Sequence, residues 1–386
     1  MTNEFGSRHN ENGMFAAPQH GGRVYQNAKL RNTNVRNVLD FSASINPIGP
    51  PHSLVRAVEQ AIPLVRYYPD TTHEGVKHAI AARFHVEVEN LMCANGASEV
   101  IDLLLQSLQP KRVVILEPAF SEYRQAAKRH GIPTLHLPLE MNRGTAGVEG
   151  TSMSVNLPLR RLNETLDAGD LLFVNTPHNP TGVTFRLDAW ISYAHQWMDQ
   201  GITIAVDESF LDFFSDEMGY TAMYEAVQSE NLFVIRSATK FYAMPGLRFG
   251  FAVGSATHFQ NVERLRDPWS VNQLAQVAAQ VAYEDVPFQR RTWEWLKSER
   301  LFVQQAWDER ESWTLHMGEV NFFLLRFHDL NEARSLEQHL QEHGMFLRDC
   351  STFMGLGVGV YRVAMRTRAE NAALQKKVSD YFGASK

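Results

Sequence analysis

The chain has 386 residues, of which 44% are hydrophobic and 21% charged, enough apolar surface for a large core and too much for global disorder. A net charge of −6 without a long basic run argues against nucleic acid or an anionic membrane as the main partner. Its two cysteines, Cys93 and Cys350, make neither a disulfide framework nor a thiolate zinc site, and no metal is expected. No apolar run reaches membrane-spanning length, and no basic region followed by an apolar one opens the sequence, so a cytoplasmic protein is expected.

Residues 1–19 are polar, aperiodic and expected to be flexible. His20, Gly21 and Gly22 then form a turn carrying one imidazole. LDFSASINPIGPP (39–51) reads as a short strand running into an Asn-Pro and Gly-Pro loop. Helical spacing follows over 52–62 and 73–85, around a proline turn at 66–70 that carries Tyr67 and Tyr68. At 91–108 a short strand ends in Asn95, Gly96, Ala97 and Ser98, and an apolar helix begins at once. Small residues at a helix start expose N–H groups where the dipole favours an anion, although Ser98 is also an ordinary first-turn residue.

Residues 112–131 read as strand, turn and helix, with Phe120 and Tyr123 just past the strand. A strand-like pair lies near 134–138, before a Gly-rich connection over 142–156. DLLFVNTPHNPTGV (170–183) is a buried strand ending in a Pro-rich turn that holds Asn179. GITIAVDESFLDFF (201–214) is another, ending in Asp207 and Glu208, acids that also suit a helix cap. This alternation from about 90 to 255 predicts a parallel sheet wrapped by helices. Beyond it, long helical stretches over 268–285 and 288–310 lead to strands at 321–327, 345–349 and 359–367 and a helix at 333–344. Arg348 and Arg362 each stand in an apolar strand of this part. The expected organisation is a large domain at 61–265 and a smaller one at 266–386, with the N-terminal segment 20–60 belonging to the smaller one.

The sharpest chemistry lies in SATKFYAMPGLRFG (237–250), where Lys240 follows a buried strand at 231–237. A lysine at the mouth of a core is desolvated, which favours the neutral amine, a nucleophile towards carbonyls. Ser237, Thr239 and Arg248 add two hydroxyls and a fixed cation, groups that hold a phosphate. An amine for an aldehyde beside a phosphate cradle is what pyridoxal phosphate requires. Asp207, Asn179 and Ser98 join them, because the carboxyl ends of parallel strands share one crevice. Together they offer an acid for a pyridinium nitrogen, an amide for a phenolic oxygen and further donors for the phosphate.

The motifs HGG (20–22), DFSASINPIG (40–49), TPHNPTG (176–182), DESFLDF (207–213), TKFYAMPGLRFG (239–250), PWSVN (268–272) and YRVAMRT (361–367) carry a family resemblance. Over about 20–386 the chain resembles the fold-type-I pyridoxal-phosphate enzymes of the histidinol-phosphate aminotransferase-like branch. The resemblance implies an α/β fold, with a mainly parallel sheet in a large domain and a smaller α/β domain. It implies that Lys240 bonds the cofactor aldehyde and that Asp207 pairs with the pyridine N–H, making the ring an electron sink. It further implies that Asn179 hydrogen-bonds the ring O3′ and Tyr123 stacks on the ring. Gly96, Ala97, Ser98, Ser237, Thr239 and Arg248 would hold the phosphate. Tyr68 resembles a tyrosine that reaches a neighbouring subunit's cofactor, which implies a homodimer with shared sites. Arg362 resembles an arginine that binds substrate carboxylate. Arg348, His20 and Gly21 match substrate-binding positions suited to a substrate phosphate, and a guanidinium takes either anion in bidentate fashion.

Within that branch, HGG, PWSVN and DESF resemble the threonine-phosphate decarboxylases of cobalamin biosynthesis. Phe210 agrees, since the aminotransferases usually carry tyrosine three residues after the aspartate. Ser44 departs from the pattern, standing where a substrate-contacting asparagine is expected. The expected reaction is decarboxylation of L-threonine O-3-phosphate to (R)-1-aminopropan-2-yl phosphate, with O-phospho-L-serine, giving ethanolamine phosphate, as a further substrate. The alternatives are transamination of histidinol phosphate with glutamate and 2-oxoglutarate, and a regulator that binds the cofactor without catalysis. The negative charge and the intact set of Lys240, Asp207 and Arg248 argue against the last.

Overall fold

The computed structural model describes residues 20–142, 153–307 and 312–384. Residues 1–19, expected to be flexible, lie outside that description. Seven strands build the central sheet: Leu91–Ala94 (β1), Arg112–Glu117 (β2), Thr134–Pro138 (β3), Asp170–Asn175 (β4), Thr203–Asp207 (β5), Leu232–Ser237 (β6) and Gly250–Val253 (β7). Their order across the sheet is β1-β7-β6-β5-β4-β2-β3. Strands β4, β5 and β6 bury both faces. Leu172, Val174, Ile204, Val206, Leu232 and Val234 enter one core, while Leu171, Phe173, Ala205, Phe233 and Ile235 enter the other. That is the two-residue period of a strand covered on both sides, and each such aliphatic or aromatic side chain contributes roughly 1.5–3 kcal/mol.

Strands β2 to β6 pair in parallel, as the sequence predicts, but β7 is antiparallel to both β6 and β1. The physical reason is the link from β6 to β7, residues 238–249, which contains only one short helix, Ala238–Phe241. With a helix of only 4 residues and about the minimum length for a crossover, the link does not carry the chain back across the sheet for a parallel pairing. The reversal matters for the site, because it sets Gly250 beside Ser237 and so returns Arg248 to the end of β6.

A second, antiparallel sheet has the order β8-β9-β11-β10, from Trp313–Met317 (β8), Phe322–Phe327 (β9), Arg348–Asp349 (β10) and Val360–Ala364 (β11). The predicted strand at 345–349 is divided: Met345–Phe346 pairs in parallel with Leu39–Asp40, while β10 pairs with β11. The predicted connection over 142–156 includes a short strand, Ser154–Asn156, paired with Glu140–Asn142; residues 143–152 lie outside the described part. The long helical stretch is two helices, Gln273–Glu284 and Val286–Ala306, parted where the Asp285 carboxylate accepts the N–H of Phe288 at 2.9 Å. The strand Trp313–Met317 and the closing helix Arg368–Ala384 were not read from the sequence. Among the described residues no helix is long and apolar enough to cross a membrane.

Candidate active site

A cavity of roughly 990 Å3 lies at the carboxyl ends of β2, β4, β5 and β6, where Glu117, Asn175, Asp207 and Ser237 line it. Two of these ends are locked together. Asn175 and Asp207 stand opposite each other in register, and Asn175 Nδ2 donates to the Asp207 carbonyl at 2.8 Å. Asn175 Oδ1 in turn accepts the backbone N–H of Asn179 at 2.7 Å, so one side chain orders the turn that presents Asn179 to the cavity. Asp207 is buried. Its Oδ1 accepts the backbone N–H of Ser209 at 3.0 Å and its Oδ2 the hydroxyl of Tyr123 at 2.5 Å.

The short helix after β6 places Lys240 half-buried on the cavity wall. Burial pushes its amine down to about 8, and the nearby Arg362 and Arg248 guanidinium groups push the same way against Asp207. The amine is therefore partly neutral near physiological pH, as its position after a buried strand predicts.

An anion cradle sits beside it. Gly96 caps the helix Ala97–Leu108, whose first residues Ala97 and Ser98 line the cavity. Gly96 has φ +85°, and a Cβ there would stand 2.5 Å from Arg248 Nη2, so only glycine lets that guanidinium lie across the helix start. Ser237 Oγ donates to Thr239 Oγ1 at 2.9 Å, which fixes both hydroxyls at the wall.

Two arginines face each other on the opposite side. Arg348 and Arg362 are register partners across β10 and β11, and both line the cavity. Arg362 is buried, with Nη1 donating to Asn179 Oδ1, Nη2 to the Ser42 carbonyl at 3.0 Å, and its guanidinium 5.1 Å from the Phe322 ring centre. Its buried Nε has no partner among the described residues, and burial lowers its pKa to about 10. Because Asn179 Oδ1 already accepts from Arg362, its amide NH2 is the end left to meet another oxygen. Arg348 donates to Thr352 Oγ1 at 3.0 Å and lies over Phe353, with burial again lowering its pKa. Like charges opposite each other on neighbouring strands are destabilising unless an anion joins them.

The N-terminal segment closes one side. His20 Nε2 lies 3.2 Å from Glu122 Oε1, and this hydrogen bond draws the Glu122 carboxyl below its usual range. A Cβ on Gly21 would collide with the Ser42 carbonyl, which explains why glycine stands there.

Three sequence expectations are corrected. Tyr123 does not stack in the cavity; it is 1% exposed, its ring stacks on Phe173 at 4.5 Å, and Phe120 is the aromatic on the wall. The cause is helical phase: Tyr123 sits on the inward face of the helix Ser121–Arg129. Ser44 is also 1% exposed and outside the lining, which Ser42 and Ala43 supply instead. Gly96 shapes the cradle without lining the cavity. Tyr68 is 79% exposed, stacked on Trp269 and outside the cavity of its own chain. Ser209, missed in the sequence, lines the cavity with a hydroxyl that lacks a partner among the described residues. Its signal was its place two residues after the strand-ending acid.

The donor set fits pyridoxal phosphate: a depressed amine, a held carboxylate, an oriented amide, and a cradle of helix start, hydroxyls and guanidinium that a Cβ at position 96 would obstruct. Comparison with known proteins agrees. Residues 36–378 match the family described as aminotransferase class I and II, and the chain belongs to that family of pyridoxal-phosphate-dependent enzymes. It is 33% identical to the threonine-phosphate decarboxylase of Salmonella typhimurium, over 92% of this chain and 94% of that protein. It is 29% identical to the adenosylcobalamin biosynthesis bifunctional protein CobDQ of Leptospira interrogans, over 95% of this chain and 41% of that protein. Its fold superposes on the histidinol-phosphate aminotransferase of Clostridium acetobutylicum with a TM-score of 0.79 at 25% identity, covering 89% of this chain and 98% of that one.

Proposed function

We propose that the protein decarboxylates L-threonine O-3-phosphate to (R)-1-aminopropan-2-yl phosphate, a step of cobalamin biosynthesis. The observation that carries this reading is the facing pair Arg348 and Arg362 in the same cavity as Lys240. Two guanidinium groups suit a substrate with two anionic ends, a carboxylate and a phosphate. The likeness to threonine-phosphate decarboxylase and to the cobalamin-pathway protein supports the choice of substrate.

Lys240 would hold pyridoxal phosphate, Asp207 its ring nitrogen, Asn179 its ring oxygen, and Ala97, Ser98, Ser237, Thr239 and Arg248 its phosphate. When bound, the cofactor supplies an electron sink for the bond to Cα that stands perpendicular to its ring plane. The chain's own residues choose that bond. Arg362, fixed by Asn179, the Ser42 carbonyl and the Phe322 ring, takes the substrate carboxylate. Arg348, beside Thr352 and Phe353, takes the phosphate, with His20 and Gly21 covering it. Holding both ends fixes rotation about Cα. Lys240 Nζ, whose pKa near 8 lets it carry or release a proton, returns a proton to Cα once CO2 has left. Ser44 is buried away from the cavity, so preference between phosphothreonine and phosphoserine is set by the walls around Arg348, where Phe353 and Met354 are apolar.

The proposal includes a homodimer with shared sites. Val65, Tyr67, Tyr68 and Trp269 are exposed and apolar, and Tyr68 reaches no part of its own cavity. Light scattering at micromolar concentration, repeated with Tyr68→Ala, tests this. A monomer with full activity sinks it.

The deciding assay supplies the holoprotein with O-phospho-L-threonine, O-phospho-L-serine, or histidinol phosphate with 2-oxoglutarate, and follows CO2 and amines by mass spectrometry. CO2 and aminopropanol phosphate in equal amounts are expected. Glutamate formed without CO2 overturns the reading in favour of an aminotransferase.

A further inference from the structure

Tyr123 is placed as a donor that cannot turn away from its acceptor. Its ring is buried against Phe173 at 4.5 Å and 10°, and Phe120 meets its edge at 5.8 Å. Its hydroxyl reaches Asp207 Oδ2 at 2.5 Å. Burial, with the Asp207 carboxylate adding to it, pushes the phenol well above 10, so the hydroxyl keeps its proton and remains a donor. The acceptor is held from its other side by the backbone N–H of Ser209. Tyr123 lines no part of the cavity, and the proposed reaction leaves it unused.

We propose that Tyr123 is a positioning residue, acting through Asp207: its hydrogen bond fixes the direction of the carboxylate that pairs with a protonated ring nitrogen. The proposal rests on the assignment of Asp207 to the ring nitrogen of pyridoxal phosphate. A buried carboxylate is costly unless donors surround it, and each donor to the charged form favours that form. Of the two donors named here, the Ser209 N–H belongs to the backbone and is present whatever the side chain; the Tyr123 hydroxyl is the one the sequence can remove. A merely structural Tyr123 would act through its ring alone, filling the space between Phe173 and Phe120 while the hydroxyl took the nearest acceptor.

Tyr123→Phe separates the two roles, since it keeps the ring and deletes one oxygen. Apo-protein is titrated with pyridoxal phosphate by fluorescence, and the pH profile of the holoprotein's visible absorption is recorded. The same is done in an Asp207→Asn background and for Phe173→Leu. Tyr123→Phe is expected to raise the cofactor Kd about 10-fold and to move the absorption midpoint by about one pH unit, with the apo melting temperature little changed. In Asp207→Asn the same substitution is expected to have no further effect, because the carboxylate it serves is gone. Phe173→Leu, which loosens the stack and keeps the hydroxyl, is expected to lower the melting temperature more than it raises Kd. A wild-type Kd and pH profile in Tyr123→Phe would overturn the proposal, as would an undiminished effect in Asp207→Asn. Wild-type protein that binds no pyridoxal phosphate would instead overturn the cofactor assignment on which it rests.

Discussion

At the ends of β5 and β6, two groups of buried charge occupy opposite faces of one sheet. Asp207 and Glu208 are consecutive, as are Arg236 and Ser237, and one member of each pair goes to the cavity while the other goes to the far side. On that far side Arg236 is fully buried and donates to Glu208 at 2.9 Å, Asp212 at 3.0 Å and Glu217 at 2.7 Å. Three acids for two cations, Arg236 and the Arg83 that lies 3.5 Å from Glu217, leave negative charge in surplus, and burial answers by pushing Glu208 up to about 7 and Asp212 to about 6 against the pull of Arg236. The cavity side has the reverse imbalance. Arg124, Lys128, Lys240, Arg248, Arg348 and Arg362 line it against Glu117, Glu122 and Asp207. Guanidinium groups do not resolve a surplus by releasing protons near neutral pH, so this side resolves it by binding anions. Charge satisfied within the chain serves the fold, and charge left over serves a ligand.

The comparison predicts that loss of a charge costs function on one side and stability on the other. Lys240→Ala should lower turnover by roughly three orders of magnitude or more, about 4 kcal/mol of transition-state stabilisation, with an unchanged denaturation curve. A variant that kept a tenth of the activity would show that another group does the work assigned to Lys240. Arg236→Met should do the opposite. It leaves the buried Glu208 and Asp212 without their cation, while half-buried Glu217 keeps only Arg83, a loss of ~3–5 kcal/mol, read as a lower urea midpoint. Equal stability in that variant would mean that the acids simply hold protons and that Arg236 contributes nothing net.

Arg362→Gln is the intermediate case, because Arg362 is both buried and ligand-facing. Removing one charge-assisted contact to the substrate carboxylate should lower kcat/KM about 100-fold, ~2.7 kcal/mol, while Arg348→Gln should act through the phosphate end. The two can be told apart with L-threonine lacking the phosphate. Arg348→Gln should then change little, and Arg362→Gln should keep its full effect. If both variants lose activity equally on the unphosphorylated substrate, the assignment of one arginine to each anion is wrong.

The sequence made one side of this comparison readable and hid the other. Lys240, Asp207 and Asn179 were legible because each follows a short β-branched run, and parallel strands gather their carboxyl ends. The place of Tyr123 was not, since helical phase over a single turn decides whether position 120 or 123 meets the cavity. Ser44 failed for the same reason in extended chain, where neighbouring positions Ser42 and Ala43 are the ones that line the wall. The Arg236 cluster was invisible because its acids at 208, 212 and 217 lie in the irregular segment after β5, and only tertiary packing brings them to one guanidinium. The direction of β7 depended on what a linker of a dozen residues permits, which hydrophobic pattern does not report.

The smallest expected effect tests the electrostatics of the cavity directly. Burial and two guanidinium groups hold the Lys240 amine down to about 8. The neutral amine is the form that attacks an aldehyde, so attachment of pyridoxal phosphate to apo-protein should speed up as pH rises through about 8 and then level off. Arg362 is the larger of the two charge contributions after burial, so Arg362→Gln should move that midpoint upward, towards the ordinary lysine value and short of it, because burial remains. Stopped-flow absorbance between about pH 6.5 and 9.5 measures both curves. A midpoint that stays put in Arg362→Gln would show that burial alone sets the amine. A rate that does not vary with pH would show that the amine is neutral throughout, and that the cavity is drier around Lys240 than its half-buried position indicates.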